Sequence, residues 1–178
     1  MTVQPKFVTG ESVQFVSSAN FINAMASAVT AVSIVTTDGP GGRFGITVSA
    51  ISSVSAEPPM LLACIKEDSP AIAAIEANKN FCVNVLSSEQ SDLSNRFAGR
   101  PHNGLPYDFD EANWRTEATS APVLEGAAAN FDCVLMDCHS VGTHRIIFGL
   151  VQIADHTSKL PLAYAQREYQ LLKPLEIA

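Results

Sequence analysis

The fold class turns on three consecutive blocks: Thr30-Ala-Val-Ser-Ile-Val-Thr-Thr37, Asp38-Gly-Pro-Gly-Gly42 and Phe44-Gly-Ile-Thr-Val-Ser-Ala-Ile-Ser-Ser-Val-Ser55. The first block alternates and is rich in β-branched residues, so it reads as a strand. The second is a turn, and it is too short to hold a helical crossover. The strands on either side must therefore pair antiparallel, because parallel pairing needs about a dozen linking residues. The third block reads as another strand, from Phe44 to Ser55, broken by Pro58-Pro59.

The same reading extends in both directions. Upstream, a short helix is expected after Ser17 or Ser18, with Phe21, Ala24, Met25 and Ala28 on one face. Downstream, Met60–Ile65 reads as a buried strand. Ser69-Pro70 reads as a helix start, serine as cap and proline at the first helical position, with the helix running to about Asn78. Asn80–Leu86 is a strand. Ser88–Phe97 reads as a helix stopped by Gly99 and Pro101, and 100–112 is a polar loop. Beyond it Ala129–Cys138, His144–Ala154 and Leu160–Ala165 are strands. Residues 1–17 read as a peripheral N-terminal arm and 18–178 as one domain. The expected architecture is mainly β with short helices, an antiparallel barrel with helices packed outside.

Composition narrows the function. The chain has 178 residues, one domain's worth, with 47% hydrophobic and 16% charged residues, as in a globular protein. Its apolar runs are far shorter than a membrane span, and mean hydropathy is only +0.15. Met1–Gly10 has no apolar core of a secretory signal, so a cytoplasmic location is expected. Eleven basic against 18 acidic residues give a net charge of −7. That argues against nucleic acid, which needs a basic face. Cys64, Cys82, Cys133 and Cys138 sit in apolar, strand-like runs and read as buried reduced thiols. A metal site among Cys133, Cys138, His139 and His144 is disfavoured. No C-x-x-C pair is present, and strand alternation puts Cys133 opposite Cys138 and His139 opposite His144.

Common catalytic motifs are absent. Gly39, Gly41, Gly42 and Gly45 follow a strand, but Phe44 occupies the place of the third glycine of G-x-G-x-x-G. The next segment, Ile46–Ile51, forms strand rather than helix, so a hairpin turn is read instead of a dinucleotide loop. No Walker-type loop or G-x-S-x-G elbow occurs. Asp108, Asp110 and Glu111 read as a solvated surface. The run Thr47-Val-Ser-Ala-Ile-Ser-Ser-Val-Ser55 stands out, because serine is a poor strand former. It is either an edge strand facing water or a surface of small hydroxyls and free N–H groups for a planar or phosphorylated ligand.

With its neighbours, this run resembles the flavin reductase family with the FMN-binding split-barrel fold. It is most similar to the reductase components of two-component aromatic monooxygenases, 4-hydroxyphenylacetate 3-monooxygenase among them. The matching stretches are Phe21–Ala26, Val32–Thr37, Gly45–Ala50, Ser53-Val-Ser55, Pro58-Pro59, Cys64-Ile65, Asn80–Leu86 and Phe97-Ala-Gly99. They continue with Gly142-Thr-His144, Ile147-Phe-Gly149, Pro161-Leu162 and Tyr164–Tyr169. The resemblance covers about residues 18–172, and its order and spacing are more specific than any single motif.

The resemblance implies hydride transfer from NADH, or NADPH, to FMN or FAD. It also implies a homodimer and release of reduced flavin to a separate oxygenase component by free diffusion. It implies flavin contacts from Thr47, Val48, Ser49, Ala50, Ser52 and Ser53. Cys64, Ile65, Lys66 and Ser69 would follow the flavin and its phosphate, and Phe97, Ala98, Gly99 and Arg100 would complete the site. His144, Tyr164, Arg167 and Tyr169 fall on the nicotinamide side, with His144 the catalytic candidate and Arg167 the anion partner. Two other readings fit the same barrel: a non-enzymatic FMN-binding protein and an oxidase with tightly bound FMN.

Overall fold

The computed structural model describes residues 14–173 and residue 175. Most of the expected N-terminal arm, residues 1–13, lies outside the described residues. The elements in chain order are α1 (Ser18–Met25), β1 (Thr30–Ala31), β2 (Ser33–Thr37), β3 (Phe44–Val48), β4 (Ile51–Ala56), β5 (Pro59–Lys66), α2 (Pro70–Asn78) and β6 (Asn80–Val85). They continue with α3 (Ser91–Phe97), β7 (Trp114–Arg115), β8 (Val123–Leu124), β9 (Ala129–Val141), β10 (His144–His156), β11 (Leu162–Ala165) and β12 (Glu168–Leu171).

Every strand pairing is antiparallel. Seven strands form the main sheet in the order β3-β2-β6-β9-β10-β5-β4, and β1-β11-β12 form a second, smaller sheet. The two edges of the main sheet, β3 and β4, are consecutive in sequence. The sheet therefore curls on itself. At the junction Ala50 accepts a backbone hydrogen bond of 2.9 Å from Cys64 of β5. This is the expected mainly β, split-barrel architecture.

Alternation along the strands fills two cores. Val35, Val48, Ala63, Phe81, Val83 and Ile147 point into the barrel, and α2 adds Ile72 and Ile75. The opposite faces send Val32, Ile34 and Leu86 outward against Leu93 and Phe97 of α3 and Leu162 of β11. Ser69 caps α2, its Oγ accepting from the Ala71 N–H at 3.3 Å, with Pro70 at the first helical position.

Three local expectations are corrected, and the helix face named above is found open to solvent. The block Phe44–Ser55 is two strands, because the chain leaves β3 at Ser49-Ala50 and joins the far edge of the sheet beside β5. The helix expected from Ser88 starts at Ser91. Sheet pairing continues to Ser87, which bridges Pro161, and Ser88 N–H donates to Leu160 O at 2.8 Å, so the chain turns only at Gln90. The apolar face of α1 is not buried: Phe21 and Met25 are 56% and 52% exposed. Finally, Cys133 and Cys138 share a face. Leu135 pairs with Gly149 and Asp137 with Phe148, so Met136 is an extra residue and strand alternation resets there. Cys133 is in the barrel core and Cys138 packs against it.

Candidate functional site

A groove runs along the seam where the barrel edges meet, and it is made of three abutting cavities. Its middle, of 450 Å³, has Thr47, Val48, Ser49 and Ala50 as floor, with Cys64, Ile65 and Lys66 of β5 on one side. Phe97, Ala98 and Arg100 close it from the end of α3, and His144 from the start of β10. A second cavity, of 380 Å³, shares Thr47–Ser49, Ala98 and Arg100 and extends to Tyr164, Arg167 and Tyr169. A third, of 360 Å³, shares Ile46 and Lys66 and extends to Ser69 at the start of α2.

Local folding explains this convergence. Lys66 and His144 are opposed residues at the ends of β5 and β10, and His144 Nδ1 lies 2.9 Å from the Thr143 hydroxyl. Thr47 Oγ1 donates to the Ser94 carbonyl at 2.8 Å, tying the groove floor to α3. Gly45 has no side chain because Phe97 takes the space: a Cβ there would stand 2.6 Å from the Phe97 ring. The β11–β12 hairpin turns on Gln166 and Arg167, both at positive φ (53° and 66°), as a two-residue type I′ turn requires. That turn holds Tyr164 and Tyr169 as an edge-to-face pair with ring centroids 5.5 Å apart. The Tyr169 hydroxyl donates to Asn95 Oδ1 at 2.8 Å, and Arg167 donates to Asn23 of α1 at 2.7 Å.

Outside the groove most cations among the described residues are paired, Lys79 and Lys173 being without an ion pair there. Arg43, Arg96, Arg115, Arg145 and Lys159 all pair with carboxylates. Lys66, Arg100 and Arg167, which line the groove, have no carboxylate partner among the described residues. In a chain of net charge −7, three such cations gather around one hydroxyl-lined floor, with Glu168 and Asp68 the carboxylates that also line the groove. Glu67, beside Lys66 in sequence, turns to Arg145 at 3.1 Å. Burial pushes the Cys64 thiol up from its ordinary value, so it meets the groove as a neutral group.

The structure gathers nearly all the residues named from the sequence. Thr47, Val48, Ser49, Ala50, Cys64, Ile65, Lys66, Phe97, Ala98, Arg100 and His144 line the middle cavity, Tyr164, Arg167 and Tyr169 one end, and Ser69 the other. Gly99 stands just behind, at φ 75°, where a Cβ would come 2.5 Å from the Tyr107 hydroxyl. Ser52 and Ser53 are not brought to the groove. They lie on β4 and line a separate, mostly apolar cavity of 350 Å³ with Met60, Leu61 and Phe131. The shift follows from the break at Ser49-Ala50. Several lining residues were missed from sequence, among them Ser94, Asn95, Tyr107, Ile46 and Glu168. Ser94 and Asn95 flank Ala98 on α3, and their spacing from Phe97 was the available signal. Tyr107 sits in a polar loop with no local pattern to mark it. Among the described residues, no group of three His, Cys, Asp or Glu is arranged to ligate a metal ion.

Comparison with known proteins places this groove in context. The model of the flavin reductase like domain family matches residues 25–173. A protein named FMN reductase (NADH) RutF from Serratia proteamaculans (strain 568) is 40% identical over 159 residues, covering 89% of this chain and 90% of that protein. The solved structure of the flavin reductase PheA2 in its native state superposes with a TM-score of 0.81 at 30% identity, covering 89% of this chain and all of that one. Nitrilotriacetate monooxygenase component B from Mycobacterium thermoresistibile superposes at 0.80 with 29% identity, covering 90% and 89%. The chain belongs to the flavin reductase like domain family.

Proposed function

Taking that family membership as premise, we propose that the chain is an NADH:flavin oxidoreductase whose flavin and nicotinamide meet in the seam groove. The observation that carries the reading is the trio Lys66, Arg100 and Arg167, cations without carboxylate partners around a floor of hydroxyls and backbone. The residues fit a flavin. Small side chains at Thr47, Ser49 and Ala50 let a planar ring approach the backbone. Flavin accepts the hydride that a reduced nicotinamide gives up, and the protein's task is to position the two.

Each residue then has a role. Thr47–Ala50 offer N–H and O–H groups to the ring edge. Lys66, with Ser69 at the start of α2, holds the phosphate, and the helix dipole adds to the attraction. Arg100 stands between the two cavities and steadies charge on either nucleotide. Tyr164, Tyr169 and Arg167 receive the nicotinamide nucleotide, and His144 orients it. Cys64 and Ile65 give the groove an apolar wall that excludes water. Ser52 and Ser53, on the far side of β4, have no part in this assignment.

The related proteins extend the proposal. Neighbours include a monooxygenase component B and the flavin reductase component of a two-component tryptophan halogenase. On that basis reduced FMN or FAD leaves this chain and reaches a separate oxygenase component by free diffusion. The chain works as a homodimer in the cytoplasm. No helix among the described residues is long and apolar enough to cross a membrane.

The test is NADH oxidation under air with and without added FMN or FAD, for the wild type and for His144→Ala. Turnover that saturates with added flavin is expected. In His144→Ala the KM for NADH should rise by roughly tenfold, the scale of one lost positioning contact, and more than the KM for flavin. No oxidation of NADH or NADPH with any flavin would overturn the reductase reading, and equal loss on both substrates would overturn the role of His144.

A further inference from the structure

The end of β5 and the turn into α2 put three charged residues in a row: Lys66, Glu67 and Asp68. They separate in space. Lys66 and Asp68 line the cavity at the start of α2, where they are the one cation and the one carboxylate among the described lining residues. Glu67 lines none of the three groove cavities. Its Oε1 lies 3.1 Å from Arg145 Nε and accepts from the Ser140 hydroxyl at 3.2 Å. Arg145 also reaches α2, its Nη2 standing 3.5 Å from Glu76 Oε1. Sheet register explains why a cation stands there. Arg145 opposes Ile65 on β5, and Ile65 and Ile147 are both buried in the barrel core, whereas His144 opposes Lys66. Alternation therefore sends Arg145 to the face that α2 covers and His144 to the groove. The Arg145 side chain is 22% exposed against 44% for Glu67, so the arginine is the fixed member of the pair. Nothing in the reaction described above uses it.

We propose that Arg145 is a positioning residue for flavin binding: it holds the Glu67 carboxylate on the α2 side and so keeps Lys66 free for a phosphate. The proposal rests on the reading above that places the flavin phosphate beside Lys66. The Glu67 backbone is fixed, its N–H donating to the Thr143 carbonyl at 3.1 Å. Its side chain is held by Arg145 and Ser140 alone among the described residues. With Arg145 gone, Lys66 is the adjacent cation in the chain, and the carboxylate turns to it. The cavity at the start of α2 now balances one cation against Asp68. A second carboxylate tips that balance to negative, and a phosphate then meets net repulsion.

The test reads flavin binding without NADH, as fluorescence quenching titrated at low salt with FMN and with riboflavin, its phosphate-free counterpart. Arg145→Met should weaken FMN by about three- to fivefold, the scale of a partly exposed charge contact, and leave riboflavin unchanged. The loss should fade as salt is raised to about 1 M, where charges are screened within about 3 Å. Arg145→Met combined with Glu67→Gln should regain wild-type binding of FMN, because the freed acid is gone. Arg145→Met combined with Glu76→Gln relieves the same crowding of carboxylates but leaves Glu67 free, so it should stay weak. Should Arg145→Met fail to fold, Glu67→Gln alone decides. It should bind FMN at least as tightly as the wild type, whereas loss of a structural brace would weaken it. Unchanged FMN binding in Arg145→Met, equal weakening of FMN and riboflavin, no rescue by Glu67→Gln, or weaker FMN binding in Glu67→Gln alone each overturns the proposal. A wild type that binds FMN no more tightly than riboflavin overturns it as well, by removing the phosphate site. NADH oxidation absent with every flavin would instead remove the reductase reading, while the titrations still decide the role of Arg145.

Discussion

At the scale of single residues, the buried thiols have a measurable consequence. Burial, reinforced by the Asp132 carboxylate, pushes Cys133 up to about 12. Cys82 is pushed well above its ordinary value, again by burial first and Asp132 second. In the native state both keep protons that the unfolded chain gives up from about its ordinary thiol value of 9.0. Their contribution to stability is therefore complete below pH 9 and is lost as pH rises, for Cys133 towards about 12. Urea midpoints measured across that alkaline range should fall, and they should fall less steeply in Cys133→Ala. An equal slope in the variant would show that the Cys133 proton is not what the fold retains. The burial of these two thiols was legible from their apolar surroundings. Their placement relative to Cys138 was not, because the reset of alternation at Met136 leaves no mark in a run of ordinary strand residues.

At the scale of elements, β2, β6 and β9 are held in register by one amide as well as by their backbones. Asn84 is fully buried on β6. Its Nδ2 donates to the Ile34 carbonyl at 3.0 Å, and its Oδ1 accepts from the Leu124 N–H at 2.7 Å and from Asn130 Nδ2 at 2.8 Å. Asn84→Ala leaves the Leu124 N–H without its partner in a dry interior and removes one of the two acceptors of the Asn130 amide. A loss of about 2–4 kcal/mol is expected, measured by urea unfolding. A loss under about 0.5 kcal/mol, the range of surface substitutions, would mean that water replaces the amide. Elements with local chemical signals were readable in advance. The start of α2 at Ser69-Pro70, the hairpin turn at Asp38–Gly42 and the strand from Asn80 all carry their own caps, glycines or alternation. The break between β3 and β4 carries none. Ser49 and Ala50 are neither glycine nor proline, and the chain changes partners there because β5 is waiting on the far edge. Ser52 and Ser53 were assigned to the groove for that reason, and Tyr107 was passed over because Arg96, a distant buried cation, sets its position.

At the scale of the whole molecule, an apolar face stands exposed among the described residues. Phe21, Ile22 and Met25 of α1 and Val29 beyond it are all more than half exposed. The same helix touches the site, since its Asn23 accepts from Arg167. In the homodimer proposed above, α1 lies in or beside the contact between copies. Light scattering should then give twice the protomer mass of 19.0 kDa. Phe21→Glu, which puts a charge on that face without touching the core, should shift the mass towards the protomer. A wild type that scatters as a single chain would remove the dimer, and an unmoved mass in Phe21→Glu would place the contact elsewhere.

The position of β3 and β4 at opposite ends of one sheet also sets an order of events. Strands adjacent in sequence sit first and last in a seven-strand ladder, so the seam between them closes only after every intervening strand has found its neighbour. The groove lies on that seam and draws on Val32 near one end of the chain and Tyr169 near the other. An early fragment of a growing polypeptide lacks His144 and the β11–β12 hairpin, so it holds no complete version of the groove. Capture of a nucleotide is thus a checkpoint on complete folding: a chain that binds has already assembled its whole barrel.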